Sequence, residues 1–153
     1  SGPSSSKPHG SPGSRLIRSG DVVVIDIGTV YEGYCSDMTR TFYVGSEPSE
    51  EVEKVYQAVL DAKQKAEESL KIGMTASDLY QSAYDQLASA GYGEYFIHGL
   101  GHGVGIEVHE APLISIKSKD VIKPGNVVTI EPGLYLSGWG GVRLEDMVIQ
   151  DKH

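Results

Sequence analysis

Residues 21–44, DVVVIDIGTVYEGYCSDMTRTFYV, carry the reading of the fold. The stretch is rich in β-branched and aromatic residues and holds Glu32-Gly33 at its middle, which predicts a long hairpin. If Glu32-Gly33 is a two-residue turn, Tyr31 pairs with Tyr34, and counting outward sets Gly28 opposite Asp37. Asp26 stands two residues from Gly28 and therefore shares its face. Asp26 and Asp37 become diagonal neighbours, their backbones roughly 7–8 Å apart with a glycine between them. A cation fits that space. A one-residue slip in register would undo the arrangement.

The same device recurs downstream. GDVVVIDIG (20–28) aligns without gaps on GNVVTIEPG (125–133), identical at five of nine positions, and places Asp26 on Glu131. Pro8-His9-Gly10 likewise echoes Ile97-His98-Gly99. An internal duplication of a His-Gly strand followed by an acid-bearing hairpin accounts for both. In the second copy Glu131 and Glu145 are equidistant from Gly138, so pairing about that turn sets them face to face. Like charges directly opposite on strands destabilise by roughly 0.2–1 kcal/mol, and by more once desolvated. Four converging acids call for cations, a shared proton or abundant water. A lone acid on a strand is usually a solvated surface residue, but four embedded in Val/Ile runs at matching repeat positions are poorly explained that way.

Between the copies the period changes from two to 3.6. Ser49 caps a helix predicted over 50–72, with Glu50 and Glu51 in its first turn and Val52, Val55, Tyr56, Val59, Ala66 and Leu70 on one stripe, ended by Gly73. Thr75-x-x-Asp78 opens a second helix over 76–90, with Leu79, Ala83, Leu87 and Ala90 as its stripe and Gly91 as its stop. YFIHGLGHGVGIEVHEAP (95–112) reads as strand and Gly-rich loop, and NVVTIEPGLYL (126–136) and VRLEDMVI (142–149) as strands about a Gly-Trp-Gly-Gly turn. Residues 1–14, with six Ser, three Gly and three Pro, have by composition the character of a flexible linker.

Composition narrows the function. The chain's 153 residues suit one domain with a real core. Thirteen basic against 21 acidic residues leave a net charge of −8, which argues against nucleic acid or an anionic membrane as partner. It suits cation binding. Cys35 is the single cysteine, so no internal disulfide forms and a reducing, cytoplasmic setting is expected.

His98, His102 and His109 lie in one short Gly-rich stretch, whose glycines at 99, 101, 103 and 105 rule out a helical His-x-x-x-His site. In an extended chain His98 and His102 point one way and His109 the other, unless the loop bends. His102 as the single nitrogen ligand among four carboxylates makes a hard, oxygen-rich site, which favours manganese, cobalt or iron, with zinc as a further alternative.

The motifs IDIG, Tyr34-x-Ser36-Asp37-x-Thr39-Arg40-Thr41, HGLGHGVGIEVHEAP, TIEPGLY and GGVRLED occur here in one order. In that order and spacing the chain resembles the pita-bread dinuclear metallopeptidases, the Xaa-Pro dipeptidase (prolidase) and aminopeptidase P group of the creatinase/methionine aminopeptidase superfamily. The resemblance runs from Ser1 to about Gln150; Asn126, where many relatives carry Met, departs from it. It implies an α+β pita-bread fold, with an antiparallel sheet, helices on one face and a pseudo-two-fold repeat. It implies two divalent ions, manganese or cobalt foremost, held by Asp26, Asp37, His102, Glu131 and Glu145. His9, His98 and His109 match substrate-side histidines, and Arg143 matches an arginine lining the substrate site. The SGPSSSKPHG segment then reads as the loop and strand ahead of the first hairpin rather than as a linker.

The implied activity is hydrolysis of Xaa-Pro bonds in peptides with proline in second position. A hydroxide bridging two metals attacks, His109 donates to the oxyanion, and Glu131 relays the proton. Methionine aminopeptidase and a metal-free pita-bread binding module are the rival readings. Residues 1–153 are expected to form one catalytic domain, with 1–48 closing its first half and 49–153 forming its second. The second half has a helix pair ahead of its His-Gly landmark and the first has none, so an apolar face of the 21–44 hairpin is expected to lie open. A homo-oligomer and little activity in isolation follow from that expectation.

Overall fold

The first hairpin folds in the expected register. In this computed structural model, which describes residues 1–11 and 13–151, strands β1 (Val22–Ile27) and β4 (Met38–Tyr43) pair antiparallel with Asp26 opposite Thr39. The inner strands β2 (Val30–Tyr31) and β3 (Tyr34–Cys35) continue the same ladder, Tyr31 facing Tyr34. Glu32 and Gly33 both take positive φ, 50° and 87°, so the turn has the twist of the strands it joins. Glycine suits the second position because no Cβ opposes a left-handed backbone.

Gly28 answers to a different demand. A Cβ built there would lie 2.2 Å from the Ser36 carbonyl oxygen. The two chains therefore touch, backbone to backbone, between Asp26 and Asp37. Gly28→Ala is expected to splay the hairpin and lower stability by about 1–3 kcal/mol, the range for overpacking. Urea denaturation of the variant checks this; an unchanged midpoint would show that the strands absorb the methyl.

The helices follow their stripes. α1 (Glu50–Ser69) is capped by Ser49, whose side chain accepts the Val52 N–H at 3.4 Å, and α2 (Ala76–Ser89) by Thr75, which accepts the Asp78 N–H at 3.1 Å. α1 stops earlier than its pattern predicts. Leu70 turns extended and into the core, and the Gly73 N–H is taken by the Ile122 carbonyl at 2.8 Å, a tertiary bond outside the helix. α2 ends as expected, with the Gly91 and Tyr92 N–H groups returning to Ala88 and Leu87. Val55, Val59, Leu79, Ala83 and Leu87 are fully buried, whereas Ala90, the last stripe position, is exposed.

The remaining strands form a sheet in the order β10 (Asp146–Ile149), β7 (Val127–Ile130), β5 (Gly101–Gly103), β6 (Glu110–Ile114), all antiparallel. A separate ribbon pairs β8 (Gly133–Leu136) with β9 (Gly140–Arg143). The run 126–136 is thus two strands, not one: Pro132 has no N–H for a ladder, and the chain leaves the sheet at Glu131. Opposite it, the Glu145 N–H bonds to the Thr39 carbonyl at 3.0 Å, which joins the second hairpin to the first.

Residues 1–6 are no linker. Gly2–Ser6 form a 3-10 turn in which buried Ser5 donates to the Gly2 carbonyl and accepts the Gly141 N–H. Serine hydroxyls here supply bonds that composition alone reads as flexibility. The outer face of β1 and β4 is open, with Ile27 54% and Phe42 53% exposed. No helix among the described residues is long and apolar enough to cross a membrane.

Candidate metal centre

Five strand ends converge on a cavity of about 320 Å³. Asp26 reaches it from β1, Asp37 from the entry to β4, His102 from β5, Glu131 from the break after β7, and Glu145 from the break before β10. Their ligand atoms form overlapping sets: Asp26, Asp37 and Glu145; His102, Glu131 and Glu145; and Asp37, His102 and His109, each with atoms within 4.8 Å of one another. His102 Nε2 lies 3.4 Å from Glu131 Oε1 and 3.7 Å from Asp37 Oδ2. Its Nδ1 lies 2.9 Å from the Gly103 carbonyl, so that nitrogen carries the proton and Nε2 offers its lone pair to the cavity.

His109 belongs nearer the acids than an extended chain would place it. Its ring stands 4.2 Å from that of His102, because residues 101–114 fold back as the β5–β6 hairpin. Fewer of residues 95–112 are strand than the sequence suggests.

The carboxylates are supported by hydroxyls and one guanidinium. Thr39 Oγ1 donates to Glu145 Oε2 at 2.6 Å, and Thr129 Oγ1 to Glu131 Oε1 at 3.2 Å. Arg143 Nη2 grips Asp26 Oδ2 at 2.6 Å while Nε donates to Thr39 and Nη1 to the Tyr135 hydroxyl. His98 donates from Nδ1 to the Gly99 carbonyl at 2.6 Å, so its Nε2 accepts from Tyr135 at 2.9 Å. A relay Arg143, Tyr135, His98 results. His9 lines the same cavity and is exposed.

Electrostatics shows how tightly the acids crowd. Burial, then the charge of Glu145, pushes Glu131 up to about 8. Burial pushes Glu145 up to about 7, with Asp37 and Asp26 adding to it. Asp37 is raised as well, by burial and then by Asp26. Burial holds His98 down to about 4, so it is neutral at pH 7. A bound cation would relieve each of the raised acids, and the donor set fits hard divalent ions.

Sequence reasoning missed Tyr135, Thr39 and Thr129. The clue for Tyr135 was its place opposite Gly141 on the β8–β9 ribbon, where the missing side chain leaves room for a ring. Thr129 stands two residues before Glu131, on the face a period-two strand shares with it, and that spacing was its signal. Nothing local marks Thr39, whose partner Glu145 is 106 positions away.

The model for metallopeptidase family M24 matches residues 1–152. The chain belongs to that family. Among M24 relatives, the Xaa-Pro dipeptidase of Pyrococcus horikoshii is 50% identical over 153 residues, which is all of this chain and 43% of that protein. A peptidase of Bacillus subtilis is 48% identical over 97% of this chain and 42% of its own length. The solved prolidase from Pyrococcus furiosus superposes with a TM-score of 0.95 at 49% identity, covering 99% of this chain and 45% of that one. An X-Pro aminopeptidase from Thermotoga maritima gives 0.94 at 43% identity, over 98% of this chain and 42% of its own. The fold is the α+β pita-bread fold of these M24 proteins, and the chain spans less than half the length of the relatives it matches.

Proposed function

We propose that this chain carries the metal centre and substrate pocket of an Xaa-Pro exopeptidase, a metal-dependent hydrolase of peptides with proline in second position. The convergence of Asp26, Asp37, His102, Glu131 and Glu145 on one cavity supports this reading most directly. These five would hold two divalent ions, manganese or cobalt being the best match to four carboxylates and one imidazole. When bound, such ions supply an acidified water and polarise the peptide carbonyl.

The chain's own residues account for the rest. His102 is locked in the tautomer that frees Nε2. Glu131, with its carboxyl drawn toward neutral pH, can take and return a proton at Oε1. His109, exposed at the cavity mouth, donates to a developing oxyanion, as the catalytic partner of Glu131. His9, neutral His98 and Arg143 line the substrate side. Residues 1–48 and 49–153 serve as two halves of one catalytic domain, acting in the cytoplasm as part of a homo-oligomer.

Protein containing this chain, assayed with Mn²⁺ or Co²⁺, is expected to cleave Xaa-Pro dipeptides in preference to Met-Ala. A clear preference for Met-Ala would transfer the reading to methionine aminopeptidase.

A further inference from the structure

Position 63 departs from the pattern of α1. The helix buries Val55, Val59, Ala62 and Ala66, and one turn beyond Val59 the same face carries Lys63, only 8% exposed. An ammonium held out of water is unfavourable unless it is paired and hydrogen-bonded. Lys63 Nζ is paired twice, at 2.6 Å from Glu67 Oε1 on its own helix and at 2.6 Å from Asp146 Oδ2 on β10. A solvent-facing lysine would reach Glu67 equally well. Only the inward position reaches Asp146.

Asp146 passes the contact on. Its other oxygen, Oδ1, binds Arg40 Nη2 at 2.5 Å. Arg40 Nη1 in turn donates to the carbonyl oxygens of Glu145, at 2.5 Å, and Thr39, at 2.9 Å. Those carbonyls belong to the bridged pair that joins the two hairpins, and the Thr39 side chain holds Glu145 Oε2. The relay from α1 through β10 to β4 therefore ends on the backbone that presents Glu145. Lys63, Asp146 and Arg40 are not among the residues lining the cavity.

We infer that Lys63 is a positioning residue for the metal centre, fixing Glu145 through Asp146 and Arg40 and so setting how tightly the ions are held. This rests on the metal-centre reading above. Outer partners of metal ligands typically change affinity 10–100-fold, and a relay two residues long falls at the low end, about tenfold.

Calorimetric titration with Mn²⁺ of wild type, Lys63→Met, Lys63→Arg and Asp146→Asn tests the inference. Lys63→Met keeps an apolar chain of similar length in the core and leaves Asp146 paired with Arg40. It is expected to weaken one Mn²⁺ site about tenfold while circular dichroism stays native, and Lys63→Arg is expected to restore most of that loss. Asp146→Asn, which cuts the relay in the middle, should reproduce the loss and carries the test if Lys63→Met does not fold. A Lys63→Met or Asp146→Asn chain that loses thermal stability yet titrates like wild type overturns the inference, since Lys63 then only anchors α1. If wild type takes up no Mn²⁺, the metal-centre reading fails and the inference with it.

Discussion

The chain stripped of divalent ions is expected to lose stability as pH rises from 6.5 to 8, and to recover it on addition of Mn²⁺. Glu131 and Glu145 have folded-state values of about 8 and about 7, raised from 4.5. A raised carboxyl binds protons in the folded chain that the unfolded chain has released. Its stabilising contribution is complete below its unfolded value and is lost as pH climbs through its folded value. His98 opposes them only between about 4 and 6.5, where its depressed imidazole makes folding favour higher pH. Asp21, lowered to about 2 by its bond from Arg15, acts outside this range altogether.

The window from 6.5 to 8 therefore reports chiefly the two glutamates, with Asp37, raised by burial and by Asp26, acting in the same direction. At 1.36 kcal/mol per unit, their combined loss across it is about 2 kcal/mol. Divalent ions reverse the slope because they bind the ionised carboxylates. At a hundredfold excess over the dissociation constant each site adds about 2.7 kcal/mol. Thermal scans at pH 6.5 and 8, with chelator or with Mn²⁺, measure all four states. A metal-free midpoint that rises with pH would contradict the crowding of these acids.

Asp37→Ala is expected to bind at most one divalent ion tightly where wild type is expected to bind two. Asp37 belongs to two of the three sets of converging ligand atoms, one with Asp26 and Glu145 and one with His102 and His109. Its loss removes a carboxylate that both share. Outer partners of a metal ligand already change affinity 10–100-fold, so removal of the ligand itself should exceed about 100-fold at one site. Removing Asp37 also lifts a charge that raises Glu131 and Glu145, so the metal-free variant should be no less stable than wild type at pH 8. Elemental analysis after dialysis, together with titration, gives the stoichiometry. Metal content equal to wild type would remove Asp37 from the centre.

How far these residues were legible in the sequence depends on range. The two-residue turn at Glu32-Gly33 fixes the register of everything up to Asp26 and Asp37, because a hairpin ladder has a period of two and no freedom to slip once one face is buried. Gly138 does the same for Glu131 and Glu145, even though Pro132 and the crossing to Thr39 interrupt the strands on either side. What could not be read is what joins the copies. Thr39 and Glu145 are 106 positions apart, and the bond between them obeys no local period. The bend that swings His109 against His102 depends on a register shift between His102 and Gly103 that a Gly-rich string leaves open. Ser5 looks disordered by composition until Gly141 is seen to donate to it. Lys63 likewise reads as one of the many lysines of an amphipathic helix, since its partner Asp146 is remote in sequence.

Anomalous X-ray diffraction from crystals of the chain grown with Mn²⁺ would locate the bound ions. Two manganese peaks are predicted in the cavity, bounded between them by Asp26, Asp37, His102, Glu131 and Glu145. Density for manganese elsewhere on the surface, with these five side chains uncoordinated, would contradict the metal-centre reading.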